Sequence, residues 1–194
     1  MRIPEKIAAF LLLALVSWCA HADDLKIGKL MHLLAKNKAG KATFVEKKYI
    51  GVLEKPLEST GTLSFEAPDR LEKRTLTPKP EALLLEGKTL TIERPGKKRT
   101  TVNLDEHPEV AAFIESIRGT LAGDLSSLEA NYEVGLSGSM DHWQLSLKPR
   151  QARLSGIFSR ILISGTGPDV RTIELDQEDG DHSEMSIKQA DVAR

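Results

Sequence analysis

The hydrophobic pattern of the chain switches period several times, and each switch marks a predicted element. A nearly continuous apolar run over residues 7–16 follows the basic start Met1-Arg2-Ile3-Pro4-Glu5-Lys6. Ile27, Leu30, Met31 and Leu34 then recur at i, i+3, i+4 and i+7, which predicts an amphipathic helix capped by Asp23 or Asp24 and ended by Asn37-Lys38-Ala39-Gly40. From Lys41 the period becomes two. Strands are predicted over residues 44–50, 61–66 and 71–77, with residues 56–59 and Pro68-Asp69 as breaks. In the second of these, Leu63 and Phe65 share one face, and Thr62, Ser64 and Glu66 share the other. A hairpin turning at Gly87 joins residues 82–85 to 89–93, where Leu90 and Ile92 share a face. Pro95-Gly96-Lys97-Lys98 leads to a further strand over residues 101–104, which carries Val102 and Leu104.

A helical period returns with Pro108, a good first helical residue, and Val110, Phe113, Ile114, Ile117 and Leu121 form its apolar stripe. Gly123 ends this helix, and residues 126–128 suit a short further turn. Strands are predicted again over residues 132–136, 143–147, 159–164, 170–176 and 183–188. Connections this short pair strands antiparallel, because parallel neighbours need long crossovers. The pattern therefore predicts one α+β domain: a long antiparallel meander with two or three helices.

The start of the chain reads as a signal peptide over residues 1–22. It has a basic beginning, an apolar stretch too short to span a bilayer, and the small-x-small exit Ala20-His21-Ala22. The mature protein is then residues 23–194, exported to a periplasm. The one cysteine, Cys19, follows the bulky Trp18 rather than the small residue of a lipidation site, so it is expected to leave with the signal peptide. A net charge of −1 gives no electrostatic basis for binding nucleic acid or for a purely electrostatic membrane association. Aromatic residues make up only 5% of the chain, so its interior is mainly Leu, Ile and Val, which suits a packed core and a site for flexible acyl chains alike.

Catalytic signatures are missing. The string Gly135-Leu136-Ser137-Gly138-Ser139 only superficially resembles a nucleophile elbow, and there is no H-E-x-x-H, Walker loop or G-x-G-x-x-G. Asp105-Glu106-His107 fits either a metal site or a helix cap, and Asp179-Gly180-Asp181-His182 fits either a weak cation site or a hairpin turn. Neither has a full ligand set, so no metal, cofactor or catalytic residue is assigned. The apolar stripes likewise fit two uses: an ordinary core between helices and sheet, or the walls of a ligand cavity.

Several strings in order resemble the LolA family of periplasmic outer-membrane lipoprotein carriers. Ala42-Thr43-Phe44-Val45-Glu46-Lys47 after the first helix is similar to that family's first strand. Gly61-Thr62-Leu63-Ser64-Phe65-Glu66-Ala67-Pro68 resembles its G-x-L-x-h-x-x-P strand and turn, and residues 80–90 resemble its next hairpin. Residues 173–181 are similar to its last one. The resemblance implies a strongly curved antiparallel sheet, an incomplete barrel, with helices as a lid and acyl chains held between them. On that implication the cleft is lined by Leu63, Phe65, Leu90, Ile92, Val102 and Leu104 from the sheet. Phe113, Ile114 and Ile117 face them from the lid, with Trp143 and Leu145 opposite. Family members often latch the lid with an arginine directly before the proline; here that position is Ala67, which leaves Arg70 as the candidate latch.

The function implied is a soluble, monomeric, non-enzymatic carrier of lipoproteins or other acylated lipids, passing them from an inner-membrane donor to an outer-membrane acceptor. The alternatives are a membrane-anchored, LolB-like acceptor acylated at Cys19, and a lipid-sensing or interaction module without transport activity.

Overall fold

The computed structural model describes residues 26–190. The signal-peptide, Cys19 and Asp23/Asp24 expectations lie outside them. Helix α1 (Ile27–Leu34) buries Leu30, Met31 and Leu34 of the anticipated stripe, and its N-cap is Lys26, with no side-chain cap bond. Six strands follow: β1 (Ala39–Tyr49), β2 (Leu57–Glu66), β3 (Arg70–Thr77), β4 (Glu81–Glu86), β5 (Thr89–Glu93) and β6 (Thr100–Asn103). A 3-10 turn, Leu104–Glu106, leads to α2 (Pro108–Ala122) and α3 (Leu125–Asn131). The chain then runs through β7 (Tyr132–Ser139), β8 (His142–Pro149), the short α4 (Ala152–Ser155), β9 (Phe158–Thr166), β10 (Asp169–Gln177) and β11 (His182–Gln189).

The strands form one 11-stranded antiparallel sheet in the order β6-β5-β4-β3-β2-β1-β11-β10-β9-β8-β7. First and last strands pair at its centre, from Ala42↔Gln189 to Tyr49↔His182, where the two aromatic rings stack with centroids 4.3 Å apart. The fold is therefore two meanders with opposite senses of travel, and α2 and α3 join edge strand β6 to edge strand β7. Flat, a sheet with 11 strands would separate its edges by about 48 Å at ~4.8 Å per neighbour, whereas α2 and α3, with 15 and 7 residues, give ~33 Å of helix laid end to end. The sheet curls, which brings its edges within easy reach of this helical connection. It does so as the α+β, strongly curved, incomplete barrel with helices on its hollow side that the sequence implies.

Local chemistry accounts for where elements stop. Gly123 takes a left-handed conformation (φ 66°) as α2 ends, and Asp124 N–H donates to the Gly119 carbonyl at 2.8 Å. A Cβ on Gly123 would sit 2.1 Å from the Met31 carbonyl oxygen, so its missing side chain also lets α1 approach. Several boundaries differ from the sequence reading: β1 starts at Ala39 rather than Phe44, α3 runs over Leu125–Asn131 rather than 126–128, and β7 continues to Ser139. Strand β2 begins at Leu57 rather than Gly61, because residues 57–60 extend the hairpin in register with Lys48 to Val45. Leu104 leaves the sheet for the 3-10 turn, where it is buried, and the Asn103 side chain accepts from Asp105 N–H at 3.1 Å. The single-turn α4 has too short a pattern for the sequence to reveal.

The packed core lies on one half of the sheet. Leu30, Met31 and Leu34 of α1, Leu128 of α3 and Leu154 of α4 meet Tyr132, Trp143, Leu145, Leu147, Phe158, Ile161 and Ile163 of β7–β9. Trp143 and Leu145, expected in a cleft wall, are fully buried here, because the helices fill the hollow side of this half. Tyr132 fixes α2 to the core by donating its hydroxyl to the Ala112 carbonyl at 2.8 Å. Burial pushes its hydroxyl far above the ordinary tyrosine value, the Glu115 charge adds to this, and a contact with Ser116 opposes it.

Two outcomes follow from these contacts. Gly123→Ala is expected to cost roughly 2 kcal/mol or more in urea unfolding, from the left-handed backbone plus a clash with α1 that the chain cannot relieve by rotating a side chain. Folded Tyr132 keeps its proton where the unfolded chain loses it. Its stabilisation is therefore complete below about pH 10 and falls by up to ~1.4 kcal/mol per pH unit above it. Urea titrations between about pH 9 and pH 11 should show this slope in the parent and a shallower one in Tyr132→Phe; equal slopes would refute it.

Candidate functional site, an apolar cavity under helix α2

Residues directly opposite in an antiparallel pair share a face, so the register assembles rows across the hollow side of β1–β6. Phe65 pairs with Leu71, Leu71 with Leu85, Leu85 with Leu90, and Leu90 with Val102. A second row runs from Ala42 through Leu63, Lys73 and Leu83 to Ile92. In the other half of the sheet such rows meet the helices. Here they face open space.

The reason is the orientation of α2. Its buried residues are Ala112, Ser116, Gly119 and Thr120, all small. Its large apolar residues, Val110, Phe113, Ile114, Ile117 and Leu121, are only partly buried and line a cavity of about 710 Å³. Small residues allow close approach: a Cβ on Gly119 would lie 2.9 Å from Leu128 Cδ2. The hydroxyls on this face are satisfied locally, Thr120 by the Ser116 carbonyl at 2.7 Å and Ser116 by the Phe113 carbonyl at 2.6 Å. An ordinary amphipathic helix buries its bulkiest apolar face; α2 turns that face towards the cavity.

Of the residues expected in the cleft, Leu63, Phe65, Leu90, Phe113, Ile114 and Ile117 come together in the lining. Ile92 and Val102 lie in the same rows but beyond the lining, and Leu104 is buried below the sheet's edge. Trp143 and Leu145 are core. The sequence reading missed Leu71, Leu83 and Leu85, which it placed on strands without a face, and Ile163, Ile173 and Ile187 from the far half. Cross-strand register supplies the face.

Arg70, the expected latch, sits on the outer face between Glu66 and Glu86, 3.4 Å from a carboxylate oxygen of each, in register with both. At the β4–β5 turn, α2 meets the sheet through Arg118, whose guanidinium donates to the Gly87 carbonyl at 3.1 Å. Glu115, one turn earlier, pairs with the same guanidinium. An arginine flanking the apolar stripe was the available signal.

At the other end the lining turns polar, with Glu46, Lys48, Tyr49, Lys73, His182 and Ser183. Glu46 is 7% exposed and accepts from Lys73 Nζ at 2.5 Å and from the Ser59 hydroxyl at 3.2 Å. Elsewhere, Asp105 pairs with Lys88 at 2.9 Å, and His107 precedes α2 without a side-chain cap bond. Asp181 accepts from the Gly51 N–H at 2.9 Å, within the turn before β11. Among the described residues no group of three or more His, Cys, Asp or Glu is placed to hold a metal ion, and no helix is long and apolar enough to cross a membrane.

Comparison with known proteins gives this geometry a context. The sequence model described as outer membrane lipoprotein carrier protein LolA-like matches residues 19–193. An outer-membrane lipoprotein carrier protein of Dechloromonas aromatica is 25% identical over 175 residues, covering 90% of this chain and 80% of the relative. One of Pseudomonas fluorescens is 26% identical over 140 residues, 71% of this chain and 65% of the relative, so the match spans just under two thirds of that protein's length. Among solved structures, a LolA superfamily protein of Nitrosomonas europaea aligns with a TM-score of 0.44 at 9% identity, over 84% of this chain and 92% of its own. Pseudomonas aeruginosa MucB, in a complex with MucA, aligns with a TM-score of 0.44 at 14% identity, over 84% of this chain and 56% of the other. With the family model matched across almost its whole length, the chain belongs to the LolA-like family of outer membrane lipoprotein carrier proteins.

Proposed function

We propose that this protein is a periplasmic, non-catalytic carrier that holds the acyl chains of a lipoprotein or comparable lipid between its sheet and α2. It works as a soluble monomer of residues 23–194 after loss of the signal peptide, and it moves its cargo from an inner-membrane donor towards an outer-membrane acceptor. One observation carries this reading: α2 packs on the core by its small residues and leaves Phe113, Ile114 and Ile117 facing an aliphatic sheet across a cavity of about 710 Å³. That volume lies in the range of ligand sites. Burying acyl methylenes at ~0.8 kcal/mol each gives a long chain on the order of 10 kcal/mol of gross driving force before the costs of binding. A plain interaction module would gain nothing from leaving these side chains unpacked.

Ile114 is the sharpest probe, because it lines the cavity without packing against the buried core, whereas Phe113 and Ile117 do both. Ile114→Asp is expected to abolish retention of a fluorescent fatty acid while lowering the melting temperature by only about 2 °C or less. Leu145→Asp, a fully buried control, should unfold the protein. Equal loss of retention and stability in Ile114→Asp would assign the face to a core.

Release requires α2 to swing from the sheet, and Arg118 ties it there. Arg118→Met removes a charge-assisted hydrogen bond to Gly87 while keeping the stem. About 1.4 kcal/mol of lost closure would raise the lipid dissociation rate roughly tenfold in stopped flow. An unchanged rate would show that the helix does not open at that end.

A further inference from the structure

The polar end of the cavity has a construction that an acyl chain alone does not need. Lys73 stands in the same cross-strand row as Leu63 and Leu83, with its side chain only 23% exposed. It is carefully seated. Gly61 clears the space, since a Cβ there would lie 2.8 Å from Phe44 Cε1, so the Phe44 ring can spread over β2. The Lys73 ammonium then sits over that ring, 4.9 Å from its centroid, and is held by Glu46, which Ser59 also anchors. Burying such a pair forfeits hydration that its mutual attraction repays only in part, and aliphatic side chains would make an equally good wall for hydrocarbon.

Cations exceed anions in this cluster. Lys48 Nζ lies 3.8 Å from the other Glu46 oxygen, outside hydrogen-bond reach, so two ammonium groups share one carboxylate. The other carboxylates of the lining are engaged elsewhere: Glu72 with Arg74, Asp169 with Arg171, and Asp181 with the Gly51 N–H. Glu46 lies six residues along β1 from Gly40, whose row holds Phe65 and Leu71, which is ~20 Å of strand. Leu, Ile and Phe side chains line the cavity beneath α2, Asn37, Lys41 and Asp169 line it near Gly40, and the Lys73–Glu46–Lys48 cluster lies farther along β1.

We infer that the cavity is matched to an anionic amphiphile, with its hydrocarbon beneath α2 and its phosphate or carboxylate head on the Nζ atoms of Lys73 and Lys48. Glu46 and Ser59 act as positioning residues that hold Lys73 in place. This inference rests on the acyl-carrier reading above and adds the charge of the head group to it. Lys73 is largely shielded and Lys48 half exposed at the rim, and a charge-assisted bond to the shielded ammonium is stronger than one in water.

The test compares hexadecyl phosphate, hexadecyl maltoside and inorganic phosphate as competitors of a fluorescent fatty alcohol bound to the mature chain. The phosphate amphiphile is expected to bind at least tenfold tighter than the neutral one, and inorganic phosphate at the same concentration should displace nothing. Lys48→Met and the paired change Lys73→Met with Glu46→Gln, which leaves no buried carboxylate unpartnered, should erase that ratio without weakening the maltoside. Equal binding of the two amphiphiles, or an undiminished ratio in the variants, overturns the head-group inference while leaving the carrier reading intact. Displacement by inorganic phosphate alone would make this a free-anion site and also overturn it. Binding of neither amphiphile, nor of the fluorescent alcohol, brings down the carrier reading and this inference together.

Discussion

Because β1 pairs with β11, the two ends of the described chain meet at the centre of the sheet, and its middle has to join the two outer edges. That single pairing governs the rest. It requires the connection to cross the sheet's face, and the curl of the sheet brings the two edges within reach of a helical crossing. It also puts α2, the longest of the described helices, over the hollow, with its start near β6 and its end against α1. A helix placed there by topology covers whatever lies beneath, whether that is side chains or a ligand.

The two halves of the sheet answer this differently. Beneath the β7–β10 half, α1, α3 and α4 supply Leu30, Leu34, Leu128 and Leu154, and large residues such as Trp143 and Tyr132 fill the space completely. Beneath the β1–β6 half no helix other than α2 descends among the described residues, and α2 presents its large side chains to the cavity from above. Stability and capacity are therefore separated in space. The packed half maintains the curl and the anchoring of α2 through Tyr132 and Gly123, and the open half can change its contents without unfolding the molecule.

The sequence makes the elements legible and conceals their depth. Period two over Gly61 to Glu66 and period 3.6 over Val110 to Leu121 identify faces, and five of the residues chosen from those faces, Leu63, Phe65, Phe113, Ile114 and Ile117, line the cavity. Periodicity reports which side a residue faces, not how far away the opposite wall lies, so Trp143 and Leu145 look the same as Leu63 and Phe65. Their difference depends on α1, α3 and α4, brought from distant parts of the chain. Arg70 and Arg118 illustrate the same limit: position next to a motif suggested one, whereas only the register of β4–β5 places the Gly87 carbonyl beside the other. Glu46 and Lys73 share the hollow-facing sides of their strands with Phe44 and Leu71, and alternation alone does not say that two polar residues on such a face meet as a pair.

A cavity that grips hydrocarbon tightly has to give it up again, and the arrangement of contacts suits that need. The Arg118 bond goes to a backbone carbonyl in the β4–β5 turn, and Glu115 pairs with the same guanidinium. A tilt of α2 about its small face, which packs on the core, would open the cavity while keeping that packing. The cationic end lies along the strands away from this tie. Tilting α2 would expose the aliphatic end first and leave a charged head still held, so the tail would meet the receiving surface while the head remains docked. An aliphatic slot without Lys73 and Lys48 would impose no such order on release.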